Sequence, residues 1–485
     1  MLFQTWVFLL FFLVVYLIYL FVKRTSFGVL WLLLASYFFY GWLNPLYVIF
    51  ILYATTFDFI ISAQMEKSNR RKLWLAISII NNIALLSFFK YSFFFIDNLN
   101  NLLSSFNIPF QIISPDILIH SLTRYMNILL SYIGIQYKII SPGILLPIGL
   151  SFYLFQSMGY MIDCYRGDIE REKSFVRYAA FVAFFPRLLA GPIERGGNLL
   201  PQLRNLPTIT SQDIGDGLSL FVVGLFKKVA IADYLALYVD KVYGNPAEFQ
   251  SPALLLATFL FCWQIYFDFS GYTDMARGVA RLLGIRLMLN FNNPYLATSL
   301  GDFWKRWHIS LSTWFKDYLY IPLGGNRHGK FNTYKNMFIT MVISGLWHGA
   351  AWTFVMWGAV HALGRFATRE LEQTEFYVNR VPKIFKQAFV FTFVGFAWIF
   401  FRASNISDAW LIVSRIFSSG LANPYCPLLA LIMILAVWLY QFLYESNLRK
   451  LLEFRGVYVT MVIFMILYLA AFAPSRENYF IYYQF

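Results

Sequence analysis

Five histidines are the side chains best suited to move a proton near neutral pH, since an unperturbed imidazole has a pKa near about 6.5. They are His120, His308, His328, His348 and His361. His348 stands apart from the others. It lies in SGLWHGAAWTFVMWG, where the nearest formal charges are Lys335 and Arg365. An ionisable residue so deep in an apolar run is expensive and by default marks a functional site. The structural alternative is a neutral imidazole bonded to a neighbouring helix carbonyl. The adjoining Gly349 permits close backbone approach or a helix break. At membrane depth such a break is tolerated where it lines a cavity or is buried in protein.

His308 lies in GDFWKRWHISLSTWFKDYLY. Trp304, Trp307, Leu311, Trp314 and Tyr318 recur at helical spacing and predict one aromatic-apolar stripe. On spacing alone this is an amphipathic helix at the headgroup level, where Trp and Tyr are enriched, and His308 is an interfacial residue on it. Asp302 precedes Arg306 by one turn and can pair with it. His361 follows His348 by thirteen residues, about 220° around a continuous helix, so the two do not share a face unless the helix breaks. His328 sits in the turn-rich basic loop LGGNRHGK, which reads as solvated, and His120 has no supporting context.

Two further features bear on chemistry. Asp268, in WQIYFDFSGYTDMARG, meets no cation in sequence until Arg277 and reads either as a functional carboxylate or as the brace of a helix junction. The loop from Gly324 to Lys330 could hold phosphate through its amides with Arg327 and Lys330, although Gly-rich turns are common. The sequence contains no HExxH, paired-Cys zinc spacing, GxSxG or Walker loop. Zinc proteolysis, serine-triad hydrolysis and ATP-driven pumping therefore lack support. Cys164, Cys262 and Cys426 are far apart and imply neither a disulfide framework nor a metal site.

The elements that must position these residues follow from composition. Of 485 residues, 59% are hydrophobic and 13% charged, against about 25% charged in soluble chains. So little charge cannot clothe a soluble core, and the chain reads as an integral membrane protein. Its excess of 39 Lys+Arg over 25 Asp+Glu is scattered through short loops with no nucleic-acid-binding motif, which makes it an orientation signal. About 20 apolar residues span the hydrocarbon core. Such runs fall near 6–22, 27–43, 46–63, 73–90, 144–163, 175–191, 217–240, 253–270, 336–364, 386–401, 427–444 and 457–473. They predict an all-α polytopic bundle of about eleven spanning helices, with re-entrant or interfacial helices besides. The stretch 273–335 has no clear span and is the most polar.

No positive n-region or cleavage site flanks the first apolar run, so 6–22 reads as an uncleaved membrane helix. Lys23 and Arg24, the run Glu66–Lys72 and the loop Tyr165–Lys173 carry charge, whereas Asn44-Pro45 carries none. The positive-inside rule places these charged loops in the cytoplasm and the N-terminus outside. The segment 97–143 is then extracytoplasmic or lies in the interface.

Several stretches together resemble the membrane-bound O-acyltransferase family, most closely its bacterial alginate O-acetyltransferase-like branch. They are LLPIGLSFYLFQSMGYMIDCYRG (145–167), FVAFFPRLLAGPIERGGNLLPQL (181–203), YFDFSGYTDMARGVARLLGIRL (266–287), FNNPYLATSLGDFWKRWHISLSTWFKDYLYIPLGGNRHGK (291–330), GLWHGAAWTFVMWGAVHAL (345–363) and the ending NYFIYYQF. The resemblance implies an acyltransferase whose intramembrane histidine is His348 and whose second recurrent histidine is His308. It implies one integral-membrane domain over 1–485, with its catalytic core at about 144–365 around a central tunnel, in a bacterial inner membrane. LGGNR separates this branch from the D-alanyl-transferring relatives that serve teichoic acids. The chain departs from the pattern at Arg187-Leu188-Leu189, where relatives often read Gln-Leu-Val, and at Leu287-Met288-Leu289, in place of a more polar segment.

The implied chemistry is transfer from acetyl-CoA, at a cytoplasmic mouth, to an acceptor at the opposite mouth. His348 acts as base, His308, with Asp302, Lys305 and the cofactor-binding Arg306 nearby, orients the cofactor or stabilises developing charge, and Arg327 and Lys330 contact the CoA phosphates. This scheme needs no metal. The sequence contains no GDS-type esterase motif, so a separate extracytoplasmic SGNH-type acetyltransferase is expected to place the acetyl on an alginate-like exopolysaccharide or on peptidoglycan. The alternatives are transfer of D-alanyl or another acyl group, and a polytopic transporter with His348 as proton relay. The lack of a visible inverted repeat counts against the transporter.

Overall fold

The structure, a computed structural model, describes residues 1–42, 44–112, 116–132, 134 and 147–472. Leu145 and Leu146, which open the first family-like stretch, and the ending NYFIYYQF lie outside the described residues. Among the described residues every regular element is helical. Two compact units are distinguished.

The first unit is built from Phe11–Leu189 and Arg195–Leu206. In chain order its helices are α1 (Trp6–Val22, which begins before the unit), α2 (Phe27–Gly41), α3 (Pro45–Lys67), α4 (Arg71–Leu86), α5 (Ser92–Ser105), α6 (Asp116–Tyr132), α7 (Leu150–Arg166), α8 (Phe175–Ala183), α9 (Phe185–Leu188) and α10 (Gly196–Arg204). The Asn44 side chain accepts from the Leu46 amide and Pro45 occupies the first turn, which starts α3 where the uncharged turn was read. A π-helical turn over Ser87–Tyr91 carries α4 on into α5. Asp58 on α3 is a fully buried carboxylate of this unit. It accepts from Ser78 Oγ at 2.6 Å, Asn82 Nδ2 at 2.9 Å and Ser157 Oγ at 2.5 Å, so α3, α4 and α7 are tied by hydrogen bonds at a depth where water is excluded.

The expected span over 175–191 does not form. Pro186 lacks an amide hydrogen and its ring would collide with the preceding turn, and the chain breaks at Phe184 into α8 and the single turn α9. The nine residues of α8 reach only about 14 Å. Arg204, at the end of α10, returns to Glu172 just ahead of α8, at 2.7 Å. The excursion therefore starts and ends at one place.

The second unit comprises Leu2–Leu10, Ala190–Glu194 and the described chain from Pro207 onward. Its helices are α11 (Ser211–Leu225), α12 (Asp233–Gly244), α13 (Ser251–Leu282), α14 (Leu300–Arg306), α15 (Ile309–Phe315), α16 (Gly329–His348), α17 (Trp352–Leu371), α18 (Lys383–Arg402), α19 (Ile406–Ser418), α20 (Leu428–Tyr444), α21 (Arg449–Glu453) and α22 (Arg455–Phe472). A capping box of Thr210 and Asp213 starts α11. The 32-residue α13 is the buried centre of this unit, and α11 packs on it through small residues. A Cβ on Gly224 would lie 2.5 Å from the Gly271 carbonyl oxygen, and one on Gly278 would lie 2.7 Å from that of Gly217. Small-residue contact of this kind is how membrane helices approach closely.

Among the described residues four helical stretches are long and apolar enough to cross a membrane: Pro45–Lys67, Arg71–Ser105, Ser251–Leu282 and Lys383–Arg402. Shorter apolar helices occupy Trp6–Val22, Phe27–Gly41, Leu428–Tyr444 and Val459–Phe472. The run read over 336–364 is not one helix. It is a hairpin of α16 and α17, broken at Gly349–Ala351, as Gly349 allowed.

Candidate active site

His308 owes its position to a broken helix. The aromatic stripe from Trp304 to Tyr318 predicted a continuous amphipathic helix, but α14 stops at Arg306 and α15 starts at Ile309. Between them His308 takes φ +43° and ψ +54°, the left-handed region that costs a non-glycine residue about 1–2 kcal/mol. Such strain persists where the surroundings over-determine it. Here they do: the Asn292 amide donates to the Arg306 carbonyl and the Ile309 amide to the Asn290 carbonyl, both at 2.9 Å. The extended strand of chain before Asn293 thus clamps the break from both sides. His308 is 1% exposed and packs against Phe269, Phe291 and Trp347. Trp307 and Leu311 are buried as well, so the headgroup-level reading of this segment gives way to a protein core.

The Asn290 side chain is the centre of the polar contacts. Its Oδ1 lies 3.2 Å from His308 Nδ1, 3.2 Å from the Ser310 amide and 2.9 Å from Ser310 Oγ. Ser310 Oγ accepts in turn from the Ile193 amide at 3.0 Å, and Glu194 accepts from the Met288 amide at 2.5 Å. The segment Ala190–Glu194 therefore braces both sides of the histidine's support.

His348 is the last residue of α16, 4% exposed, with its ring against Trp347, Trp357 and Phe401 at 4.9–5.3 Å between centroids. The His308 and His348 rings lie 6.5 Å apart. Two imidazoles so close, shut in by aromatic rings, suit proton transfer in a site from which water is excluded. His361 is separated from His348 by Trp357, whose ring lies 5.2 Å from one and 4.9 Å from the other. His120 and His328 are exposed.

A model of the membrane-bound O-acyltransferase family matches residues 143–406, more than half of the chain and all of this site. The chain belongs to the membrane-bound O-acyltransferase family. It is 38% identical to the probable alginate O-acetylase AlgI of Pseudomonas aeruginosa over 87% of this chain and 75% of that one. It is 34% identical to the peptidoglycan O-acetyltransferase of Helicobacter pylori over 80% and 73%. The teichoic acid D-alanyltransferase of Bacillus subtilis matches at 29% over 44% of this chain and 57% of its own.

The remaining sequence candidates fall in different places in this acyltransferase. Arg306 pairs with Asp302 at 2.9 Å, as the one-turn spacing predicted, and with Glu445 at 2.5 Å. Arg327 and Lys330 are exposed, and Lys330 pairs with Glu370 at 3.1 Å. Asp268 meets the cation that its own segment lacks: Lys228 lies 2.8 Å from it and 2.8 Å from Asp233. That lysine sits on the π-helical turn Phe226–Ala232 between α11 and α12, inside what read as a plain apolar span. Among the described residues no three His, Cys, Asp or Glu side chains gather as metal ligands. Sequence reasoning missed Asn290, Ser310 and Lys228. The only signal for Asn290 was an amide standing in an apolar run, Leu287-Met288-Leu289, ahead of the turn at Asn292-Asn293-Pro294.

Proposed function

We propose that this acyltransferase takes acetyl from cytoplasmic acetyl-CoA and passes it across the inner membrane for O-acetylation of an extracytoplasmic polysaccharide, an alginate-like exopolymer or peptidoglycan. The observation that carries the proposal is the buried His308–His348 pair, 6.5 Å apart, in a chain whose relatives are named as O-acetylating enzymes. In the reaction an acceptor hydroxyl attacks the thioester carbonyl and gives its proton to an imidazole. The carbon–sulfur bond then breaks, and the proton passes to the departing thiolate to give free CoA. His348 is the proposed base. It stands at the negative end of the α16 dipole, which favours the positive charge the ring acquires. His308 is the second member of the pair, and the aromatic enclosure keeps water from the thioester.

Arg327 and Lys330 are the proposed contacts to the CoA phosphates. Arg306 joins them by exchanging Glu445 for phosphate, with Asp302 holding its guanidinium in place. The whole chain acts as one membrane domain of about eleven crossings around a tunnel, with its core near 144–365 and its N-terminus outside. The charged loops after α1, α3 and α7 support that orientation. A separate extracytoplasmic SGNH-type acetyltransferase receives the acetyl group. Transfer of D-alanyl is the second reading, favoured by the teichoic acid relative.

The test is thiol release from acetyl-CoA by protein in proteoliposomes with the acceptor partner present. His348→Ala is expected to lower the rate at least about 100-fold. Unchanged turnover in this variant would remove the role given to His348. Preference for a D-alanyl thioester would favour the second reading, and silence with both donors would favour a transporter in which His348 relays protons.

A further inference from the structure

We infer that Asn290 is the positioning residue that fixes His308 as its Nδ1–H tautomer, so that His308 works in acyl transfer as a proton acceptor through Nε2. Ser310 fixes which way the Asn290 amide is turned. Its backbone N–H can only donate, and it points at one atom of the Asn290 amide at 3.2 Å. That atom must therefore be the oxygen, because an NH₂ group there would face a donor with a donor. Ser310 Oγ reinforces the assignment. It already accepts from the Ile193 amide, so its hydrogen is available to donate to Asn290 at 2.9 Å.

With Oδ1 in place the histidine has one choice. Oδ1 accepts and cannot donate, so the ring nitrogen 3.2 Å away, Nδ1, carries the hydrogen. In a neutral imidazole the other nitrogen then carries the lone pair. Nε2 lies on the side of the ring turned away from Asn290, and the ring as a whole lies 6.5 Å from that of His348. The left-handed backbone at residue 308 and the Ile309–Asn290 hydrogen bond hold both partners in register, so neither the ring nor the amide needs to reorganise during reaction. Asn290 is itself 1% exposed, which keeps water from competing for Nδ1. Of the two imidazoles in the site, His308 is the one that this geometry holds in a single tautomer.

The tautomer part stands on geometry alone, and the catalytic part rests on the proposed acyl transfer. Both are tested on the full chain. Histidines labelled with ¹⁵N are observed in detergent-solubilised protein, and the His308 signals are assigned by their loss in His308→Gln. The expected result is a protonated Nδ1 and an unprotonated Nε2 in the parent and in Asn290→Asp, which keeps the accepting oxygen. Asn290→Leu, of similar volume but with no acceptor, is expected to lose that preference. With acetyl-CoA as donor and glycerol as a small hydroxyl acceptor, Asn290→Leu is expected to lower kcat at least about 100-fold with KM for acetyl-CoA within threefold. Asn290→Asp is expected to recover at least a tenth of the parent rate. A protonated Nε2 in the parent overturns the inference, as does Asn290→Leu with parental kcat. If the parent protein releases no thiol from acetyl-CoA with glycerol or with the acceptor partner present, the proposed function fails, while the ¹⁵N spectra still decide the tautomer.

Discussion

A buried ammonium shared by two carboxylates lies inside the second unit. Lys228, Asp233 and Asp268 are all nearly inaccessible, and each oxygen–nitrogen distance is 2.8 Å. Deleting one partner of a buried pair leaves an uncompensated charge and typically costs about 3–5 kcal/mol. Lys228→Met removes the ammonium from two buried carboxylates and is expected to lose stability on that scale, read as a large fall in thermal midpoint in detergent. Asp268→Asn leaves Lys228 with Asp233 and is expected to cost less and to retain acyl transfer. If Asp268→Asn instead kept its midpoint and lost turnover, Asp268 would belong to the reaction and not to the brace. The same scale shows what a sequence reveals. His348 was legible because a lone imidazole contrasts with twelve uncharged residues on one side and sixteen on the other. Asn290 was not, because its meaning lies in a contact with a residue eighteen positions away, and an amide in extended chain carries no periodic signal. Lys228 was hidden differently. It stood inside an apolar run, on what proves to be a π-helical turn, and its partner Asp268 lies on another helix far along the chain.

Helices set the histidines' spacing through glycine contacts. In the α16–α17 hairpin a Cβ on Gly345 would lie 2.1 Å from the Phe354 carbonyl oxygen, and one on Gly358 would lie 2.4 Å from that of Met341. Neither oxygen can move without breaking its helix. Gly345→Ala must therefore push the helices apart, at a cost of about 1–3 kcal/mol. It also shifts His348, three residues on, by an amount that a reacting geometry does not tolerate. The expected outcome is a lower thermal midpoint together with at least tenfold slower thioester turnover. Gly215→Ala on α11 is the control, since nothing lies within 4 Å of its added carbon. It should keep full activity and be slightly more stable, because alanine is the better helix former. Hydropathy placed this pair of helices but read them as one. A turn made of Gly349, Ala350 and Ala351 is as apolar as the helices it joins, so averaging over a window cannot see it. The break at His308 was invisible for the reverse reason: Trp304, Trp307, Leu311 and Trp314 keep helical spacing across a residue whose backbone is not helical.

At the scale of the whole molecule, the charged loop after α7 closes an excursion that hydropathy read as a crossing. Glu172 is buried between Arg204 at 2.7 Å and Arg177 at 3.0 Å, and its carboxylate also accepts from the Ser174 amide at 2.9 Å. These contacts join the residues before α8 to the end of α10, so the chain over 172–204 begins and ends at one point. Burial pushes the Glu172 carboxyl up, but Arg204, the Ser174 amide and Arg177 together outweigh it and hold the group below the usual carboxylate range. The sign follows by linkage. A carboxyl with a depressed pKa in the fold stabilises the folded state above its unfolded pKa of about 4.3, and that contribution fades as pH falls through the folded value. Glu172→Gln keeps the size of the side chain and one accepting oxygen but removes the charge. It is therefore expected to unfold at a lower temperature than the parent at pH 7, with the same gap at pH 6. The gap should narrow below about pH 4.3 as the parent carboxyl takes up its proton. A gap independent of pH from 7 to 3 would mean that packing, not charge, holds the excursion closed. The arginines are over a third exposed, so raising the ionic strength at pH 7 should shrink part of the gap as well. A span would have no reason to respond in this way, because its two ends would lie on opposite faces of the membrane and share no ion pair.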